Sequence, residues 1–149
     1  MRDACLPFVM DGATTDQVGQ TLGGWWGREW PDPFSPVPGT DFKRGGVTLT
    51  VDDGRGARQM NGALYPDPVR SCYVWTPRQD PETLVATVRA AIAHRPELVP
   101  IPSEPHPTVR TVACGRPGPH VLAVQVRAVA DDRSGVIIRE SRTPVPGCA

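Results

Sequence analysis

The chain has 149 residues, the length of one ordinary domain. Its 16 basic and 16 acidic residues give zero net charge, which argues against nucleic-acid binding, and no apolar run approaches the ~18–20 residues of a membrane-spanning helix. Eighteen prolines and 15 glycines predict long irregular connections between the ordered elements.

The first half of the sequence predicts a short helix and a few strands. Thr14 and Gln17 have the spacing of a capping box, which indicates a helix at about residues 14–22. Alternating apolar residues at 47–51 predict a half-buried strand, and the turn residues at 52–56 predict a hairpin with a return strand at 57–60. A further strand is expected at 72–75. The Gly- and Pro-rich stretch before residue 47 predicts no regular structure.

The second half predicts a helix followed by strands. Asp80 is a typical N-cap and Pro81 a typical first helical residue, so we expect a helix at about residues 80–94. Its predicted buried face consists of Leu84, Val85, Val88, Ala91 and Ile92. A proline-rich linker then leads to strands at 109–114, 120–129 and 136–142.

These elements predict an α+β fold. Short turns join the strand pairs, so the sheet should be mainly antiparallel, with two helices on one face and long Pro/Gly-rich loops. We therefore expect one two-layer domain at residues 1–149. The order of helix, strands, helix and strands also suggests two halves, residues 1–78 and 79–149.

An unusual number of aromatic side chains lies in one loop. Residues 23–34 contain three tryptophans and a phenylalanine among glycines and prolines, which disfavour a regular helix or strand. The rings either complete the core or form part of a recognition surface. The candidate binding residues of this tryptophan loop are Trp25, Trp26, Arg28, Trp30 and Phe34.

The four cysteines are widely spaced and form no metal-ligand pattern. They favour two disulfides in a periplasmic or secreted protein, although the N-terminus shows no signal peptide; the alternative is a reduced cytoplasmic protein. Of the three possible pairings we prefer Cys5 with Cys72 and Cys114 with Cys148, since each bridge then stays within one half. A bridge between Cys72 and Cys114 is the rival.

No sequence motif indicates a specific chemistry. His94, His106 and His120 have no metal-ligand spacing, and the paired aspartates at 52–53 and 131–132 fit turns better than a catalytic dyad or a calcium loop. We therefore expect no metal and no cofactor. A triad assembled from distant residues remains an alternative.

The sequence thus favours a non-catalytic binding or interaction module over an enzyme. Its partner would be a protein or a cell-envelope glycan, recognised through the tryptophan loop. A small hydrolytic enzyme and a structural subunit of a larger assembly are the alternatives. The sequence does not indicate an oligomeric state.

Alanine variants of the three loop tryptophans separate recognition from core packing. If Trp26 or Trp30 anchors a partner, its change to Ala should leave the melting temperature unchanged and weaken binding by about 2 kcal/mol. If the ring is core, the same change should lower stability by about 3–5 kcal/mol. Thermal unfolding is the measurement, and large losses in the Trp25, Trp26 and Trp30 variants alike would contradict recognition.

Overall fold

The computed structural model describes residues 1–23, 27–29, 39–54, 58–60, 63–65, 69–102, 108–116, 118–129 and 132–148. Within these ranges it has three helices and ten strands. The helices are α1 (Cys5–Met10), α2 (Thr15–Leu22) and α3 (Pro81–Ile92). The strands are β1 (Gly27–Glu29), β2 (Thr40–Arg44), β3 (Val47–Asp52), β4 (Arg58–Met60), β5 (Ala63–Tyr65), β6 (Arg70–Pro77), β7 (Leu98–Pro100), β8 (Val109–Gly115), β9 (Val121–Val129) and β10 (Arg133–Ser141).

Eight of these strands form one antiparallel sheet in the order β1-β2-β3-β6-β10-β9-β8-β7. Strands β4 and β5 form a separate two-stranded sheet. Each half of the chain supplies four neighbouring strands, and the last strand of each half meets the other at the centre, where β6 pairs with β10 over residues 70–77 and 133–140. The fold is therefore α+β, with both halves in one continuous sheet.

Helix α2 forms where the capping residues predict it. The Thr14 Oγ1 accepts a hydrogen bond from the Gln17 backbone N–H at 3.2 Å, and the Gln17 side chain accepts one from the Thr14 N–H at 2.8 Å. Gly19 lies where α2 crosses β2, and a Cβ there would come within 3.2 Å of the Phe42 ring. The glycine that weakens the helix locally thus allows it to approach the sheet closely.

Helix α3 is capped by Asp80, whose Oδ2 accepts hydrogen bonds from the Thr83 backbone N–H at 2.8 Å and from its hydroxyl at 2.9 Å. These bonds, the backbone one first, lower the pKa of the Asp80 carboxyl below its ordinary value of 3.8. Four residues of the predicted apolar face are buried, namely Leu84, Val85, Val88 and Ile92. The predicted helix face is therefore correct.

The main core lies between one face of the sheet and the helices. Leu6 and Phe8 of α1, Val18 of α2 and the buried face of α3 belong to a single cluster with sheet residues. The sheet contributes Phe42, Leu49, Val51, Cys72, Val112, Val124, Val126, Val136 and Ile138. All three helices therefore cover the same face, and the domain has two layers.

Two links attach the short helix α1 to the rest of the core. A disulfide joins Cys5 to Cys72 at the centre of the sheet, with a Cα–Cα distance of 5.4 Å. Just after α1, the Asp11 carboxylate pairs with the Arg95 guanidinium beyond the end of α3. The hydrogen bond from Arg95 lowers the pKa of Asp11. These links compensate for the shortness of a six-residue helix.

The structure corrects several sequence predictions. A strand, β4, does lie at Arg58–Met60, but the predicted hairpin is wrong, because β4 pairs with β5, and β3 pairs with β2 and β6 instead. Strands β1, β2 and β7 lie in segments predicted to be irregular, and α1 is a third helix that was not predicted. The acidic turn residue Asp52 behaves as predicted, since its Oδ1 accepts the Gly54 N–H at 2.9 Å.

A charge on the buried face of α3 should unfold the domain. Val88 is 1% exposed, so Val88→Asp places a carboxylate in the core and should lower stability by several kcal/mol. Ala86→Asp, on the exposed side of the same helix, is the matched control and should have little effect. Chemical denaturation measures both, and equal stabilities of the two variants would contradict the assigned face.

Candidate functional site

The open face is the face of the sheet opposite the helices. Strand pairing aligns its side chains in three rows that cross β6, β10, β9 and β8. The first row is Trp75, Gly135, Arg127 and Val109, the second is Tyr73, Ile137, Gln125 and Thr111, and the third is Ser71, Arg139, Ala123 and Cys114. This face therefore combines aromatic, apolar, amide and cationic groups.

The first row depends on a glycine. A Cβ at Gly135 would lie 2.5 Å from Cζ3 and 2.7 Å from Cε3 of Trp75, so the indole ring lies directly over the backbone of β10. Any larger residue at this position would displace the ring. Gly135 thus lets the half-buried Trp75 extend across β10 towards the strand that carries Arg127.

The C-terminal segment covers the end of the third row. A disulfide joins Cys114 of β8 to Cys148, with a Cα–Cα distance of 5.6 Å, and Val145 is buried against Ala123 in a second small apolar cluster. The Thr111 hydroxyl donates a hydrogen bond to the Pro146 carbonyl at 2.6 Å. The disulfide at Cys148 and the contacts of Val145 and Pro146 therefore hold segment 142–148 against the open face.

A cavity of about 820 Å³ lies between this segment and the open face. Such a volume is within the range of about 300–1,000 Å³ that small-molecule sites occupy. Apolar side chains line much of the cavity, and arginines and uncharged polar groups line the rest. The lining residues are Ile101, Pro102, Val109, Arg110, Thr111, Gln125, Arg127, Ile137, Arg139, Pro146 and Gly147.

The arginines of the cavity differ in their partners. Arg110 is paired with Glu82 of α3. Arg127 and Arg139 make no ion pair with a carboxylate in the part of the chain that the structure describes. The Arg139 Nε is buried and has no hydrogen-bond acceptor, and the buried hydroxyl of Ser71, its cross-strand neighbour, has no partner either. The lack of a carboxylate partner among the described residues leaves the guanidinium groups of Arg127 and Arg139 able to pair with an acidic group of a ligand.

The floor of the cavity is fixed by a chain of hydrogen bonds. The Gln125 Nε2 donates to the Thr111 Oγ1 at 3.0 Å, and this hydroxyl donates in turn to Pro146. Gly147 has a positive φ of 85°, and a Cβ there would approach Thr111 Cβ at 3.2 Å and Ile101 Cδ1 at 3.4 Å. Glycine is therefore favoured at this position, because a side chain would be strained by the positive φ and would crowd Thr111 and Ile101.

The histidines and serines do not form a nucleophilic site among the described residues. His120 Nδ1 is hydrogen-bonded to Glu140 Oε1 at 2.7 Å, and the Ser134 hydroxyl bonds to the backbone of Gln79. All four cysteines are in disulfides, so no free thiol is present. Within the described ranges no group of three or more His, Cys, Asp or Glu residues could hold a metal ion. The helices found there are also too short or too polar to span a membrane.

The binding residues predicted from the sequence lie largely outside the described ranges. Trp25, Trp26, Trp30 and Phe34 are not described, and Arg28 is described only through its backbone, which pairs with Phe42 in the β1–β2 ladder. Recognition through the tryptophan loop stays a prediction. The disulfides are the pairing preferred from the sequence, Cys5 with Cys72 and Cys114 with Cys148.

Sequence reasoning missed the cavity. Lys43 is the single lysine, so arginine supplies nearly all of the basic residues and its abundance gives Arg127 and Arg139 no particular weight. A signal was nevertheless present, because Gln125 and Arg127 alternate with the buried residues of a strongly apolar strand. Such polar residues mark the face of β9 that points away from the main core.

Removing the Cys114–Cys148 disulfide should free the C-terminal wall of the cavity. The bridge spans 34 residues, a loop length for which the entropic contribution is about 3–4 kcal/mol. The double variant Cys114→Ala/Cys148→Ala should lose about that stability and lose hydrogen-exchange protection in segment 142–148. The control Cys5→Ala/Cys72→Ala should be destabilised without selective loss in that segment. Equal protection of segment 142–148 in the two variants would contradict this role of the bridge.

No family of known proteins matches this chain, and no curated protein or solved structure matches it either. The function must therefore be argued from the cavity itself.

Proposed function

We propose that this chain is a non-catalytic binding module whose ligand occupies the open-face cavity. The observation that carries the proposal is a ligand-sized cavity lined by two arginines that lack carboxylate partners among the described residues. Arginine without an internal partner on the wall of an apolar cavity is typical of recognition of an acidic group. The cavity walls belong to paired strands and a disulfide-linked segment, which is typical of a site that is formed before the ligand binds.

Binding is favoured over catalysis by the residues around the cavity. Among the described residues its lining includes no histidine, carboxylate, serine or cysteine, so these residues offer no usual general base or nucleophile. Arginine is protonated at all ordinary pH values and holds an anion without exchanging a proton with it. These groups can orient an acidic ligand, and they supply no proton transfer.

The same proposal includes export to an oxidising compartment, such as the periplasm or the outside of the cell. Two disulfides support it, since structural disulfides persist there and are uncommon in a reducing cytoplasm. One of the two holds a wall of the cavity, so the binding site itself would benefit from that environment. A protein or glycan recognised by the tryptophan loop would be a second ligand of the same module.

Filling the cavity should abolish ligand binding and leave the fold intact. The test is a fragment screen by two-dimensional NMR on the ¹⁵N-labelled protein. Fragments should shift the amide signals of Thr111, Gln125 and Ile137, and Val109→Trp should weaken these responses about tenfold or more, because the indole would occupy the cavity.

Val99→Trp is the matched control. Val99 is 50% exposed on β7 and does not line the cavity, so the same change of side chain should leave fragment binding as in the unmodified protein. Fragments whose shifts fall elsewhere on the surface, or equal losses in both tryptophan variants, would contradict the proposed site.

A further inference from the structure

Arg127 and Arg139, which have no carboxylate partner among the described residues, lie at opposite ends of the sheet wall of the cavity. Arg127 pairs with Gly135 on β10, and Arg139 is four residues further along that strand. At about 3.4 Å per residue in an antiparallel strand, their attachment points are separated by about 13–14 Å along the strand direction. A single small anion could contact both guanidinium groups only if the two side chains leaned towards each other along the wall.

The wall between the two arginines is mostly apolar. Ile137 lies midway between them on β10, in the same row as Gln125. Ile101 and Val109 line the same cavity from the neighbouring strand edge, and Pro146 lines it from the C-terminal segment. A ligand that reaches both arginines must therefore pass over an apolar surface.

Neither end of this wall provides an internal counter-ion from the described residues. At one end, Arg139 has no carboxylate partner among these residues, and its buried Nε has no hydrogen-bond acceptor among them. Arg127, at the other end, is exposed and makes no ion pair with a described residue. By contrast Arg110, which lines the same cavity, already has Glu82 as its partner.

We infer that the ligand is an elongated molecule with an acidic group at each end and an apolar middle, of the chemical class of the α,ω-dicarboxylates. One carboxylate pairs with Arg139 at the covered end of the cavity, and the other pairs with Arg127 at the exposed end. The methylene chain lies over Ile137. This inference rests on the proposed function, since it specifies the ligand of the same cavity.

The two carboxylates of such a ligand contribute unequally to its affinity. Arg139 is the more enclosed cation, so its pairing is shielded from solvent and from salt. Arg127 is exposed, and its pairing is weaker for the same reason. The ligand should accordingly lose more affinity when Arg139 is changed than when Arg127 is changed.

The test compares three probes of equal chain length on the full chain. They are sebacate with two acidic ends, decanoate with one, and the uncharged decanediol. Decanoate should bind about tenfold more tightly than the diol, because its carboxylate pairs with the more enclosed Arg139. Sebacate should bind about threefold more tightly than decanoate, because its second carboxylate pairs with the exposed Arg127. Isothermal titration calorimetry gives the affinities, and amide shifts at Gln125 and Ile137 locate the probes.

Arginine variants show which residue pairs with each carboxylate of the ligand. Arg127→Gln and Arg139→Gln should each remove the preference for sebacate over decanoate, whereas Arg133→Gln should keep it. Arg133 is the matched control, since it is an exposed arginine on β10 that does not line the cavity. The readout is a ratio of affinities within one variant, so it does not depend on the stability of that variant.

The outcomes separate this inference from the proposed function. Equal affinity for sebacate and decanoate, or an equal loss of preference in Arg133→Gln, would overturn the two-ended ligand. Tight binding of the diol in the cavity would overturn the role of the acidic ends and leave the cavity as a binding site. If neither these probes nor any fragment shifted the cavity amides, the proposed function would fall as well.

Discussion

The antiparallel pairing of β6 with β10 holds the eight-stranded sheet together. Each of these strands is the last of its half, and among the described strands theirs is the one ladder that joins the two halves. Helix α1 packs across both strands, and its disulfide fixes it to β6 at Cys72. The register of this one pair also decides which side chains face the helices. A slip of one residue would move Ile138 out of the core and Arg139 into it.

Packing all three helices on one face leaves the domain with two unequal surfaces. The covered face is almost entirely apolar, whereas the open face contains Gln125, Arg127 and Arg139. Among the described residues, the C-terminal segment covers one end of this second face, and the cavity is the space between that segment and the sheet.

The elements predicted correctly are those whose signals are local. The capping residues of α2 and α3 and the alternation along β9 lie within a few positions of each other, so the sequence contains the whole pattern. Strands β2 and β7 were missed because they are short and are recognised only by their partners β3 and β8. The cavity was missed for the same reason, since Arg127 becomes a neighbour of Ile137 and Arg139 only when β9 and β10 pair.

The central position of β6 and β10 has a consequence for synthesis. The ribosome completes β6 at residue 77, but β10 begins only at residue 133, so an emerging chain presents the free edge of β6 while the next 55 or so residues are made. During that interval the N-terminal half has an exposed row of backbone donors and acceptors flanked by apolar side chains. This topology therefore exposes the nascent chain to pairing with another chain at the edge of β6. The exposure ends when β10 is synthesised and pairs with β6.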